Sequence, residues 1–201
     1  MNPRGESQVP RVVLASSSRY RRMLLEQIGL GFECMPPGVD ESLAQGDATH
    51  APRELARHLA ILKARDVHAH CPDAIVIGSD QVAALDDRIL TKPGGRERNL
   101  QQLLELSGRT HELWTAVCVV SKAREITWVN RTQLCMRPLN DAELARYIEF
   151  DKAWDCAGGY RIEGQGIVLF ERIEATDFTA IQGLPLIELT TVLRDLGVPL
   201  P

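Results

Sequence analysis

Val12-Val13-Leu14-Ala15 opens the patterned part of the chain, four apolar residues of strand length and partly β-branched. Ser16-Ser17-Ser18 follows, and the period then changes, with Leu24, Leu25 and Ile28 at helical spacing between Tyr20 and Gly29. Pro52 to about His68 predicts a second helix, with Leu55, Leu59 and Leu62 on one face and Pro52 tolerated in its first turn. Ala74-Ile75-Val76-Ile77 is a continuous apolar run, as expected of a strand covered on both faces. Val82 to Leu90 reads as a hairpin turning at Asp86-Asp87, and Leu100, Leu103 and Leu104 mark a third helix ended by Gly108. Leu113 to Val120 and Ile126 to Met136 are long enough to pair as antiparallel strands. Asn140 and Glu143 predict a capping box for a helix with Leu144, Tyr147 and Ile148 inward. Ile167 to Ile173 reads as a further strand and Leu186 to Leu196 as a closing helix.

This alternation predicts an α/β protein with a mixed sheet. Neither an internal repeat nor a Pro/Ser linker interrupts it, so residues 1–201 read as one domain, folded as two lobes around a cleft, with residues 1–10 a polar extension. A chain of 201 residues buries roughly 70% of its unfolded surface and needs no disulfide or metal staple. The formal charge of -4 argues against an electrostatic nucleic-acid surface. The charge is uneven, however: residues 141–201 carry 5 basic and 11 acidic side chains, which leaves the rest of the chain net positive. No apolar run approaches the ~18 residues that span a bilayer, and the first ten residues lack the apolar stretch of a signal peptide. Five widely spaced cysteines, without a C-x-x-C pair, argue against a disulfide framework or structural zinc and point to a reducing cytoplasm.

Three groups of residues carry candidate chemistry. Ser16-Ser17-Ser18-Arg19-Tyr20-Arg21-Arg22 lies between a strand and a helix, where hydroxyls, backbone N–H groups and guanidinium forks suit an anion. On local pattern alone the reading favoured is a serine cap followed by a solvated basic turn. Gly78-Ser79-Asp80-Gln81 follows the apolar strand 74–77, a position at which an Asp can hold Mg²⁺ or orient water, or simply end the strand in a turn. Lys63 near an apolar helix seam, Lys92-Pro93 and Asp40-Glu41 are isolated charges that alone read as solvated surface. A P-loop, a G-x-G-x-x-G and a G-x-S-x-G are all absent.

Taken together and in order, these residues resemble the Maf family of nucleoside triphosphate pyrophosphatases. The resemblance runs from about Val12 to Leu196. It includes Leu14-Ala15-Ser16-Ser17-Ser18 with Arg21-Arg22, Val39-Asp40-Glu41, Lys63-Ala64, Gly78-Ser79-Asp80-Gln81-Val82, Lys92-Pro93, Ala157-Gly158-Gly159-Tyr160 and Gly183-Leu184-Pro185-Leu186. It implies a Maf/inosine-triphosphatase-like fold, an elongated mixed sheet with flanking helices around a nucleotide cleft. It also implies hydrolysis of nucleoside triphosphates to monophosphate and pyrophosphate with a divalent cation, Mg²⁺ or Mn²⁺, and a homodimer. Carried over by position, Asp80 is the catalytic carboxylate, Glu41 and Asp80 hold the metal, and Ser16, Ser18, Arg21, Arg22, Lys63 and Lys92 hold phosphates.

Three positions resemble the branch of the family that acts on 7-methyl-GTP. Tyr20 stands where many members carry arginine, Gln81 where threonine is common, and Glu163 where others carry glutamine; Arg19 replaces the usual proline. An aromatic face attracts the positively charged N7-methylated base, and a carboxylate accepts from the guanine edge. Tyr20 and Glu163 are therefore the expected base readers, with Gln81 shaping the pocket. The alternatives are a family member for pyrimidine triphosphates (dTTP or UTP) and a nucleotide-binding regulator of cell division.

Overall fold

A computed structural model describes residues 9–40, 51–86 and 88–201. Among these residues there are seven strands, β1 (Val12–Ala15), β2 (Glu33–Cys34), β3 (Ile75–Leu85), β4 (Arg88–Leu90), β5 (Thr110–Val120), β6 (Glu125–Met136) and β7 (Phe170–Ala175). They form a mixed sheet in the order β2-β1-β3-β5-β6-β7, with β4 off this path against β3. β1 lies parallel to β2 and β3, and every other pairing is antiparallel. The α/β class with an elongated mixed sheet is as the sequence predicts.

β3 is the spine, and it corrects the shorter strand read at 74–77. The strand continues through Asp80 because β5 pairs with it along one edge from Val76 to Ala84. The opposite edge is shared: β1 takes Ile75 to Gly78, and β4 takes Ala83 to Leu85. Between them the edge of Ser79 to Val82 faces no strand among the described residues. The reading of Ile167 to Ile173 as strand also needs correction. Gly166–Leu169 form a short 3-10 helix, with Ile167 and Val168 turned to solvent, and the strand begins at Phe170.

Five helices flank the sheet among the described residues: α1 (Arg19–Gln27), α2 (Pro52–His70), α3 (Arg96–Leu106), α4 (Asp141–Asp151) and α5 (Leu186–Asp195). The α4 capping box forms as read, the Asn140 side chain accepting from the Glu143 N–H at 3.1 Å and the Glu143 carboxylate from the Asn140 N–H at 2.9 Å. Alternation along β3 sorts the layers. Odd-numbered residues feed two apolar cores. Ile75 and Ile77 join Leu24, Leu25, Leu189 and Leu193 of α1 and α5. Ala83 and Leu85 join Leu103, Leu106, Leu144 and Ile148 of α3 and α4. Ser79 and Gln81, also odd, fall in the interval between these cores. Even-numbered Val82 packs with Leu55, Leu59, Ala60 and Ala64 on the α2 side.

Candidate active site

The cleft, of about 1170 Å³, opens at the bare segment of the β3 edge. The last residue of β1 with the serine loop, residues 80–82 of β3, β4, and the loops of residues 155–163 and 181–183 all line it. α2 reaches this point because of one glycine. A Cβ on Gly78 would lie 2.5 Å from the Ala60 carbonyl oxygen and 2.6 Å from the Ala64 nitrogen, so only glycine lets the helix rest directly on the strand. One turn of strand alternation later Asp80 faces the same helix, and Lys63 Nζ donates to its Oδ1 at 2.6 Å. Both residues are buried and both line the cleft. Sequence reasoning picked Lys63 and Asp80 as separate charges; the fold joins them. Glu41, the other carboxylate expected to hold metal, lies outside the described residues.

The serine loop lines the cleft. Ser18 caps α1, its hydroxyl accepting from the Arg21 N–H at 3.5 Å, and α1 has no acidic residue in its first turn to compete for an anion. The Ser16 hydroxyl accepts from the Ser18 N–H at 3.0 Å and from Arg21 Nη1 at 3.4 Å. Arg21 Nε also donates to the Gly183 carbonyl at 2.9 Å, which ties the loop to the opposite wall. Lys92, exposed beyond β4, completes this side. Arg22 does not line the cleft: its guanidinium donates to Glu26 at 2.8 Å on the outer face of α1.

Arg19, Tyr20, Asp155, Cys156, Arg161 and Glu163 also line the cleft. The Arg19 guanidinium stacks 4.6 Å from the Tyr20 ring centroid and donates to its hydroxyl at 2.6 Å, covering one face of the ring. Arg161 is held more firmly. Its Nη2 donates to Asp151 Oδ1 at 2.7 Å and to the Asp151 carbonyl, and Tyr147 donates to Asp151 Oδ2 at 2.8 Å. Hydrogen bonding to Tyr20, opposed by desolvation and reinforced by Asp151, raises the Arg161 pKa above the ordinary guanidinium value. Glu163 stands at the rim with part of its surface open, yet desolvation of its carboxyl raises its pKa above the usual carboxylate value. Burial and then Asp155 push the Cys156 thiol up to about 12, so it stays protonated at neutral pH.

Polar side chains of β3 tie the strand to the loop of residues 180–183. Gln81 Nε2 donates to Thr115 Oγ1 and to the carbonyls of Ala180 and Ile181 at 2.9–3.1 Å. Ser79 Oγ lies 2.8 Å from the Gly183 carbonyl. Gln81 thus lines the cleft with its amide nitrogen spent on the wall. Arg161 and its buried partner Asp151 were not singled out in the sequence, where two charges ten positions apart look like solvated surface. The double glycine pattern of Arg161-Ile162-Glu163-Gly164-Gln165-Gly166 was the available signal. A Cβ on Gly164 would sit 2.4 Å from Asp151 Oδ1, so this loop wraps the carboxylate closely.

Residues 11–196 match the family model described as Maf-like protein. The chain is 42% identical over 184 residues to the 7-methyl-GTP pyrophosphatase of Bdellovibrio bacteriovorus, covering 92% of this chain and 96% of that relative. It is 45% identical over 193 residues to the 7-methyl-GTP pyrophosphatase of Xanthomonas axonopodis pv. citri, covering 96% of this chain and all of that one. Among solved structures, the Ham1 protein of Staphylococcus aureus superposes with a TM-score of 0.43 at 16% identity, over 64% of this chain and 72% of that chain.

Proposed function

The chain belongs to the Maf family, and from that premise we propose that it hydrolyses 7-methyl-GTP to 7-methyl-GMP and pyrophosphate. The observation that carries the reading is the buried Lys63–Asp80 pair in a cleft lined by two kinds of chemistry. Hydroxyls, a helix N-terminus and cations suit phosphates. An aromatic ring and a carboxylate suit a cationic guanine.

In this reading Asp80 orients the attacking water and accepts its proton. The water oxygen bonds to phosphorus at the α–β anhydride, the bridging P–O bond breaks, and pyrophosphate separates from the monophosphate. Lys63 holds the Asp80 carboxylate in place and faces the phosphates. Ser16, Ser18, Arg21 and Lys92 bind the phosphate oxygens, and Tyr20 and Glu163 read the base. Among the described residues, no three His, Cys, Asp or Glu side chains converge as a preformed metal cage. A single cleft carboxylate such as Asp80 nevertheless fits Mg²⁺ or Mn²⁺, which nucleotide enzymes hold through one or two carboxylates plus substrate phosphates. Asp80, with Glu41, would hold it, and the ion would supply charge neutralisation to the phosphates.

No helix of the described residues is long and apolar enough to cross a membrane. All five cysteines are unpaired, which supports a reducing cytoplasm. The resemblance further supports a homodimer, checked by light scattering on the eluting protein. Pyrophosphate release tests the function, measured with Mg²⁺ or Mn²⁺ across 7-methyl-GTP, GTP, dTTP and UTP. The expected result is a clear preference for 7-methyl-GTP. Equal turnover of all four removes the substrate assignment and leaves the reaction class.

A further inference from the structure

We propose that Arg161 is a specificity-determining residue that donates to the C6 carbonyl oxygen of guanine, beside Glu163. We further propose that buried Asp151 is the positioning residue that makes this donor compatible with an N7-methylated ring. The inference rests on the 7-methyl-GTP reading above and deepens it.

Guanine presents an acceptor at C6 next to donors at N1 and the 2-amino group. A guanidinium and a carboxylate side by side match that edge, and adenine, with an amino group at C6, would place donor against donor. Arg161 and Glu163 are two residues apart on one loop, and both line the cleft with Tyr20. Arg161 Nη2 is committed to Asp151 and Nε is covered by protein, so Nη1 is the nitrogen left to meet a base, on the side where Arg161 hydrogen-bonds Tyr20.

Charge is the difficulty. N7-methylation makes the ring cationic, and an unneutralised guanidinium at its C6 edge would repel it. Asp151 answers this. The carboxylate is 5% exposed and 2.7 Å from Arg161 Nη2, and its second oxygen is fixed by Tyr147 at 2.8 Å. The pair therefore offers hydrogen bonds with little net charge. The same carboxylate packs against Gly164, and the Arg161 N–H donates to the Tyr147 hydroxyl at 3.1 Å, so the loop carrying both readers is anchored on one group.

The test compares kcat/KM for 7-methyl-GTP, GTP, 6-thio-GTP and ITP in the wild type, Arg161→Met, Arg161→Lys and Asp151→Asn, with a thermal melt of each. 6-Thio-GTP keeps N1–H and the 2-amino group but puts a weak acceptor at C6; ITP keeps the C6 oxygen and lacks the 2-amino group. The wild type should prefer GTP over 6-thio-GTP several-fold. Arg161→Met should bring that ratio towards one while preserving the preference over ITP, and Arg161→Lys should restore part of it. Asp151→Asn should lower the 7-methyl-GTP to GTP ratio about tenfold, less so at high salt. Equal losses on GTP and 6-thio-GTP in Arg161→Met, or an unchanged methyl preference in Asp151→Asn, overturn the inference. A wild-type GTP to 6-thio-GTP ratio near one also overturns it, whatever the variants' stability. A wild type indifferent to N7-methylation removes the substrate assignment itself, and this inference with it.

Discussion

Asp80 and Lys63 draw their chemical interest from confinement. An exposed pair such as Arg22–Glu26 is solvated and contributes at most about 1 kcal/mol. Buried charges 2.6 Å apart are different, because water screens them little and the carboxylate is fixed in one orientation. In the proposed mechanism this fixed oxygen does the proton work. Asp80→Asn should therefore lower kcat by on the order of 10²–10³-fold, the usual cost of removing a positioned catalytic group. Binding of a non-hydrolysable nucleotide and the circular-dichroism spectrum should change far less. Wild-type turnover in this variant would refute the assignment. Tyr20 illustrates a second residue-scale effect, since one face of its ring is already occupied by Arg19, which leaves the base the other face.

At the scale of elements, the site exists because a helix and a strand touch backbone to backbone. Lys63 reaches Asp80 only while α2 lies on β3 at Gly78, one face of each pressed together by Ala60 and Ala64. A methyl group there must push the helix away, since its nearest neighbours are backbone atoms. Gly78→Ala should cost about 1–3 kcal/mol of stability, as overpacking typically does, and lower kcat together with it as Lys63 is displaced. Gly31→Ala is the control, because a Cβ at Gly31 meets nothing within 4 Å; it should stay within about 0.5 kcal/mol of wild type. Urea denaturation alongside pyrophosphate release separates the two. Equal stability of Gly78→Ala and Gly31→Ala would show that the contact does not set the helix position.

Across the whole molecule, the net charge of -4 describes the surface and leaves the cleft undescribed. Arg19, Arg21, Lys63, Lys92 and Arg161 all line the cavity, so local convergence outweighs the total. The whole fold also carries an acid sensitivity. His111 is fully buried beside Tyr160 and Phe170, its Nε2 2.7 Å from the Tyr160 hydroxyl, and burial lowers its pKa from 6.5 to about 4. The folded protein holds this imidazole neutral, whereas the unfolded chain binds the proton more readily. Stability is therefore complete above pH 6.5 and falls as the pH drops from there towards 4. The loss reaches on the order of 3 kcal/mol. Thermal melts between pH 8 and 4 should show this slope, and His111→Gln should flatten it. An equal slope in both proteins would place the acid sensitivity elsewhere.

The sequence by itself determined the α/β class, nearly every helix and strand, the α4 capping box and the residue types gathered in the cleft. Periodicity and capping are local, so patterns such as Leu55-Leu59 or Asn140-Glu143 announce themselves within a few residues; Leu62, read on the same face, is only half-buried, and Lys63 takes the buried position beside it. The full length of β3 was not legible, because pairing with β5, distant in the chain, extends a strand past polar Ser79-Asp80-Gln81. The 3-10 helix of Gly166–Leu169 escaped for a related reason: an apolar run gives the same pattern whether it is paired in a sheet or turned outward. Only tertiary structure put Lys63 on Asp80 and Asp151 beneath Arg161. A side chain's charge is written in the sequence, but its partner depends on which distant backbone comes close, and here that is decided by glycines where no side chain could fit.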